Sequence, residues 1–300
     1  MHETRPNLRI ATIWLFTGIC LIFSACTKLG IGDNSPTSPS GPPAAGSTIN
    51  YNAIGASDAN GVGSSQLCLA PCSNGMGYVF VTERALRAQG FPVNVTLLAV
   101  PTSTIGADFQ SLGNQFGHLV LANEIDETFF VTTDATLVTI FAGGNDVEVV
   151  MAALGGGAGG STQAGQSAYI DARIADFASD YNTLLANVRV RAPGARVIVM
   201  NLPNFAGIPL HSGDPLLNRQ AVQRLSLGMT REINKLTAKN VTVIDLMCDP
   251  RFYVASNFSS DGFHPNDSGY QNMSSLIVQA VNASSFPAPA ASCSQMSIVP

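Results

Sequence analysis

The sequence predicts one doubly wound α/β domain: a parallel sheet with helices covering both faces. Three observations carry this. Five short apolar runs rich in β-branched residues recur along residues 49–281, they alternate with amphipathic helical patterns, and turn residues bound each of them. With 300 residues, 46% hydrophobic and 12% charged, the chain has ample material for one sizeable core and too little for two enzymatic domains.

The strands are expected at 50–55, 94–100 (NVTLLAV), 137–142 (LVTIFA), 196–201 (RVIVMN) and 242–246 (TVIDL). Their near-continuous apolarity is that of strands buried on both faces. Residues 77–89 read as a helix stopped by Gly90 and Pro92. Ile170, Ile174, Phe177, Tyr181 and Leu184 step by four and three along one face of a long helix. Asp214-Pro215 reads as an N-cap followed by proline at the first helical position, with Val222, Leu225, Met229, Ile233 and Leu236 as the buried stripe. Residues 267–281 form the last helix, and no internal repeat is visible.

The N-terminus reads differently. Arg5 and Arg9 precede the apolar run IATIWLFTGICLIF (10–23), and Ser24-Ala25 place small residues before Cys26. Residues 1–26 therefore read as an export signal, too short in its apolar part for a spanning helix, which needs roughly 20 residues. "FSAC" resembles a bacterial lipobox, in which the cysteine is lipidated, although Phe23 stands where that motif prefers Leu. Residues 27–48 are Ser, Pro and Gly with little to bury, a disordered tether by composition. The domain is then expected over 49–300, on an exported lipoprotein held at a bacterial membrane and facing the periplasm or cell surface.

An exported chain meets an oxidising compartment. Outside the leader, Cys68, Cys72, Cys248 and Cys293 allow three pairings. Cys68–Cys72, closing a small loop around Pro71, and Cys248–Cys293 are the expected bridges. The Cys-x3-Cys spacing has no histidine close by, which argues against zinc. Net charge is −5 and no basic run or basic–aromatic stripe is present, which excludes nucleic acid as a partner. The one tryptophan, Trp14, lies in the leader, so the domain lacks the indole on which sugars often stack. A monomer is expected.

Sites in such sheets form at the carboxyl ends of strands. Ser57 follows the first strand in Gly-Ala-Ser-Asp, with small neighbours that leave room for substrate. A turn with Ser57 or Asp58 as helix cap explains it equally well. Gly143-Gly144-Asn145-Asp146 follows the third strand. Glycines let backbone approach a ligand and an asparagine amide suits an oxyanion, though these are also ordinary turn residues. Asp261-Gly-Phe-His264 places a carboxylate three residues before an imidazole, which it can hold as a base; a plain turn is the simpler reading. "GGGAGG" at 155–160 lacks the Gly-Lys-Ser/Thr of a phosphate loop and reads as a flexible rim loop. "NLPN" at 201–204 is either a pocket wall or a turn. His118 and His211 show no carboxylate at useful spacing and read as structural or exposed.

Together, and in this order, Ser57, Gly-x-Asn-Asp at 143–146 and Asp-x-x-His at 261–264 resemble the SGNH (GDSL) hydrolase superfamily, across roughly residues 50–281. Its members are esterases, lipases and carbohydrate deacylases on a flavodoxin-like three-layer α/β/α fold. The resemblance implies Ser57 as nucleophile, His264 as general base and then acid, and Asp261 as the group orienting His264. It implies Asn145 and the Ser57 backbone N–H as oxyanion donors, and no metal or organic cofactor. Two features depart from the family. Gly-Asp-Ser is Gly-Ala-Ser here, with Asp58 after the serine. The glycine that follows the second strand is replaced, by position, with Thr102; Gly106 is the alternative. Any residue but proline supplies an N–H, so Thr102 is the expected third donor. The substrate is a carboxylic ester: a lipid, a small ester or an acetylated glycan. Low charge and a nearby membrane point to apolar acyl chains. A catalytically inactive binding module on the same fold is the rival reading.

Overall fold

The computed structural model describes residues 41–70 and 72–300. The export signal and Cys26 lie outside the described residues. Five parallel strands, β1 (Ile49–Gly55), β2 (Val93–Ala99), β3 (Leu137–Phe141), β4 (Arg196–Met200) and β5 (Thr242–Ile244), form one sheet in the order β2-β1-β3-β4-β5. The helices are α1 (Ser57–Asn60), α2 (Tyr78–Ala88), α3 (Ala107–Gln115), α4 (Glu124–Glu127), α5 (Gly144–Gly155), α6 (Gln163–Arg191), α7 (Leu216–Asn234) and α8 (Asp267–Asn282). The expected strands all form, within one or two residues of their expected ends.

Alternation along each strand feeds two cores. Ile54, Val138, Ile140, Val197, Val199 and Val243 pack with Phe109, Phe177, Leu184, Val222 and Met229 of α3, α6 and α7. Tyr51, Ala53, Leu137, Ile198, Met200 and Ile244 pack with Tyr78, Leu86, Met273 and Ile277 of α2 and α8. The sheet is thus covered on both faces, which is why its strands carry no polar alternation.

Gly90 follows α2 at φ +93, as its C′ position requires. The start of α7 differs from expectation by one residue. Pro215 stands outside the helix at ψ 145, and α7 begins at Leu216. The Asp214 carboxylate is not a cap; it accepts from His211 instead. The cap of α8 is Asn266, whose Oδ1 accepts from the Ser268 and Gly269 N–H groups. Both disulfides form as expected, Cys68–Cys72 and Cys248–Cys293.

The described residues begin upstream of residue 49, at Gly41. Gly41 is buried; its N–H donates to Ala283 O, and its carbonyl accepts from Arg196 Nη2. The part of the 27–48 segment that is described therefore lies against the domain, because Arg196 is a buried cation that must be surrounded by carbonyls. Among the described residues no helix is long and apolar enough to cross a membrane.

Candidate active site

The carboxyl ends of β1, β3 and β5 bring the three sequence motifs to one place. Ser57 is the first residue of α1 and is buried. Its hydroxyl stands 2.8 Å from His264 Nε2, and His264 Nδ1 lies 2.7 Å from Asp261 Oδ2. Asp261 Oδ1 accepts from the Phe263 N–H at 2.8 Å, the His264 N–H at 2.9 Å and the Ser259 hydroxyl at 2.7 Å. Burial alone would raise the Asp261 pKa, but the bonds from His264, Phe263 and Ser259 overcome it and hold the group down to about 2. An ionised Asp261 only accepts, so Nδ1 carries a proton; in the neutral tautomer this leaves Nε2 as an acceptor for the Ser57 O–H.

Two close approaches hold this loop. Gly63 has φ +89, and a Cβ there would meet His264 Cβ at 2.8 Å, so only glycine lets the segment after α1 pass over the imidazole. On the other side the Leu210 N–H donates to Gly262 O at 3.0 Å.

Asn145 is the second residue of α5, whose cap position is Gly143 at φ +117. One of its amide N–H bonds goes to Ser103 O at 2.7 Å, leaving the second free for a ligand. Thr102 has φ +74, the left-handed conformation a glycine adopts freely and a β-branched residue resists by about 1–2 kcal/mol. Its Oγ1 accepts from the Leu121 N–H at 3.1 Å, which offsets part of that strain. Gly106 precedes α3 with φ −135; a Cβ there would fall 2.0 Å from Asp180 Oδ2, so its missing side chain serves that contact.

Sequence reasoning missed the carboxyl groups that hold the β2–α3 loop. Asp146 Oδ1 accepts from the Ile105 N–H at 3.0 Å, and Glu127 Oε1 accepts from the Ser103 hydroxyl at 3.1 Å. Asp146 lies in the motif already singled out; Glu127 and the neighbouring Glu124 carried no signal, since acidic residues in a loop read as solvated. Burial pushes Asp146 and Glu127 up to about 8 and Glu124 well above its ordinary value. Among the described residues no group of three or more His, Cys, Asp or Glu is arranged to hold a metal ion.

His211 corrects the sequence reading. It is buried, and both ring nitrogens face carboxylates: Nδ1 to Asp214 at 2.8 Å and Nε2 to Glu148 at 2.9 Å. Glu148 comes from α5, 63 residues away, so no local spacing could reveal it. Asp214, three residues on, was assigned to a helix cap. Desolvation opposes protonation of His211, but the two carboxylates outweigh it and raise the pKa.

These groups set the pH dependence of stability. The native state keeps protons on Glu124, Glu127 and Asp146 that the unfolded chain releases above about pH 4. His211 stabilises while protonated and loses that contribution as pH rises through its raised pKa. Stability, and with it Tm, is therefore expected to fall between about pH 5 and pH 8. Asp261 acts oppositely, losing its contribution as pH drops from about 4 to 2. Calorimetry at pH 5 and 8 checks this; a Tm that rises toward pH 8 would contradict the buried, protonated carboxyls, and Asp146→Asn should flatten the slope.

"NLPN" proves to be a bonded joint. Asn201 Oδ1 accepts from the Leu246 and Met247 N–H groups at 2.7 and 3.0 Å, tying β4 to the segment after β5. The glycine run at 155–160 ends α5 and turns into α6, with Gly157, Gly159 and Gly160 at positive φ.

The model of the GDSL-like lipase/acylhydrolase family matches residues 53–271, spanning all three motifs and the sheet from Ala53 onward. The chain belongs to that family. It is by that membership an ester-hydrolysing enzyme. Similar solved structures agree on the fold. A lipase from a goat rumen metagenome is 19% identical, with 79% of this chain and 99% of that one covered at a TM-score of 0.55. An extracellular lipase from Streptomyces rimosus is 17% identical, covering 78% and 100% at 0.51. An acetylxylan esterase from Geobacillus stearothermophilus is 15% identical, covering 82% and 99% at 0.50. Among curated proteins none matches the sequence.

Proposed function

We propose that this GDSL-like acylhydrolase cleaves carboxylic esters through an acyl-enzyme on Ser57. The observation that carries the reading is the 2.8 Å contact of Ser57 Oγ with a His264 Nε2 that is free to accept, backed by Asp261. Oγ attacks the ester carbonyl as its proton passes to Nε2. The intermediate collapses, the acyl C–O bond to the alcohol breaks, and Nε2 protonates the leaving oxygen. Water then attacks the acyl-enzyme, gives a proton to Nε2, and the acid leaves as Ser57 regains its hydrogen.

The negative charge on the tetrahedral oxygen is met by the Ser57 N–H, the free Asn145 amide hydrogen and the Thr102 N–H. Thr102 is favoured over Gly106 because its left-handed backbone is the one a glycine would supply at that turn, while Gly106 is committed to Asp180. The substrate is a lipid ester, a small ester or an acetylated glycan, met by a monomer held at the membrane through Cys26 and its tether.

A fluorophosphonate tests the activated serine. Wild-type protein is expected to be labelled within minutes at Ser57, and Ser57→Ala not at all. Folded wild type that resists labelling would remove the base–nucleophile pair and leave the fold as a binding module.

A further inference from the structure

His211 takes no part in the steps above, yet it joins the two halves of the site. Its Nε2 lies 2.9 Å from Glu148, a residue of α5, the helix that carries Asn145. Its chain neighbour Leu210 donates its N–H to Gly262 O at 3.0 Å, in the loop between Asp261 and His264. We infer that His211, as an imidazolium, is a positioning residue that ties the helix bearing Asn145 to the loop bearing the base. The inference rests on the roles proposed above for Asn145, Asp261 and His264.

Each link in this path is close-fitted. Glu148 stands three residues after Asn145, so the two lie near one another on α5. Gly262 has φ +74, and a Cβ there would stand 2.8 Å from Leu210 N; glycine lets the two segments reach bonding distance. Residue 211 is itself fixed in a turn, its N–H donating to Ile208 O and its carbonyl accepting from the Asp214 N–H, both at 3.2 Å. A second contact runs alongside. A Cβ at Gly144 would stand 3.5 Å from Phe263 Cζ, and Phe263 is edge-on to His264 with centroids 5.0 Å apart. The start of α5 and the base loop therefore move together or not at all.

The proton count gives this joint a state. Nδ1 lies 2.8 Å from Asp214, so both ring nitrogens of a buried imidazole face carboxylate oxygens. A carboxylate only accepts, and a neutral imidazole has one N–H and one lone pair. Only the imidazolium satisfies both partners. Loss of its proton opens either the link to α5 at Glu148 or the brace at Asp214 that holds the turn. The two carboxylates accordingly raise the pKa against desolvation. Other charged groups on the packed elements are engaged elsewhere. Asp261 is bonded to His264, Ser259 and the N–H groups of residues 263 and 264, and Arg219 of α7 donates to Ala206 O. The sign follows. The joint is complete below the raised pKa and opens above it. Activity then has two limbs: His264 must be neutral to take the Ser57 proton, and His211 must be charged to hold the two halves in register.

The test is kcat and KM on p-nitrophenyl butyrate from about pH 6 to about pH 9, corrected for spontaneous hydrolysis. Fluorophosphonate labelling rates and circular dichroism are followed over the same range. Wild type is expected to lose about 10-fold in kcat and in labelling rate toward the alkaline end, reversibly and with KM nearly constant. Glu148→Gln should remove most of that loss, because an amide accepts from the charged ring and donates to the neutral one. His211→Gln cannot titrate, so its profile should lack the alkaline limb, with kcat about 10-fold below wild type near pH 6.5. Glu127 and Asp146 titrate in the same range, but neither variant touches them. An alkaline limb that persists unchanged in folded Glu148→Gln, or in folded His211→Gln, therefore overturns the assignment and leaves the esterase reading standing. If His211→Gln does not fold, the Glu148→Gln profile decides. Folded wild type that shows neither labelling nor turnover at any pH overturns the two together.

Discussion

His264→Ala is expected to lower kcat/KM on p-nitrophenyl acetate by about four orders of magnitude or more. The imidazole joins the Ser57 hydroxyl to a carboxylate, with Nε2 at 2.8 Å from Oγ and Nδ1 at 2.7 Å from Asp261. Without it the hydroxyl has no acceptor for its proton, and an alcohol at its ordinary pKa is a poor nucleophile. The fold should survive. Asp261 keeps the N–H groups of residues 263 and 264 and the Ser259 hydroxyl, so the loop retains its internal bonds and circular dichroism should be unchanged. Asp261→Asn is expected to fall short of the full loss, because the imidazole remains but an amide no longer fixes its tautomer. A His264→Ala enzyme with more than a tenth of wild-type turnover would show that another base serves Ser57.

Asn145→Ala is expected to lower kcat by about 100- to 1,000-fold, or about 3–4 kcal/mol of transition-state stabilisation. In the proposed mechanism the side chain has two jobs that the measurement must separate. One amide hydrogen holds Ser103 O at 2.7 Å and so braces the loop that carries Thr102. The other is free for the oxyanion. Loss of bracing would disturb ground-state binding, appearing as a raised KM and a lower Tm. Loss of an oxyanion donor appears in kcat with KM nearly unchanged. A kcat within threefold of wild type would confine Asn145 to bracing.

The neighbouring aspartate shows why such motifs are read more easily than explained. Asp146 looks like one more turn residue, yet it is fully buried and accepts the Ile105 N–H. With Glu127 on Ser103 it forms a cradle of carboxyl groups beneath the β2–α3 loop. The same burial that makes these groups useful as anchors raises their pKa values, which ties the bonds that hold this loop to the acidity of the medium.

The strands, their order of appearance, the long amphipathic helices and both disulfides were legible in the sequence. Each is written in local composition: β-branched apolar runs for buried parallel strands, a period of three and four for helices, and four cysteines after a leader that reads as an export signal. The three motifs were legible for a related reason, since two directly follow a strand and the third lies in the long loop after the last one, on the side where a parallel sheet opens to solvent. Other features had no local mark. Glu148 reaches His211 across 63 residues and Gln223 reaches Val299 across 76. Asp214 could be read as a cap until His211 claimed it, because a cap and a salt-bridge partner use the same side chain.

By itself, then, the sequence determined which residues sit at the ends of the strands, because periodicity and turn chemistry are properties of a few neighbouring residues. Only the tertiary structure decided what those residues meet. Ser57 and His264 are 207 residues apart, the Thr102 side chain accepts from Leu121 nineteen residues on, and Phe205 stacks on Phe263 from a different part of the chain. Distances of a few ångströms between remote segments are set by the packing of the whole core, and no short stretch of chain carries that information.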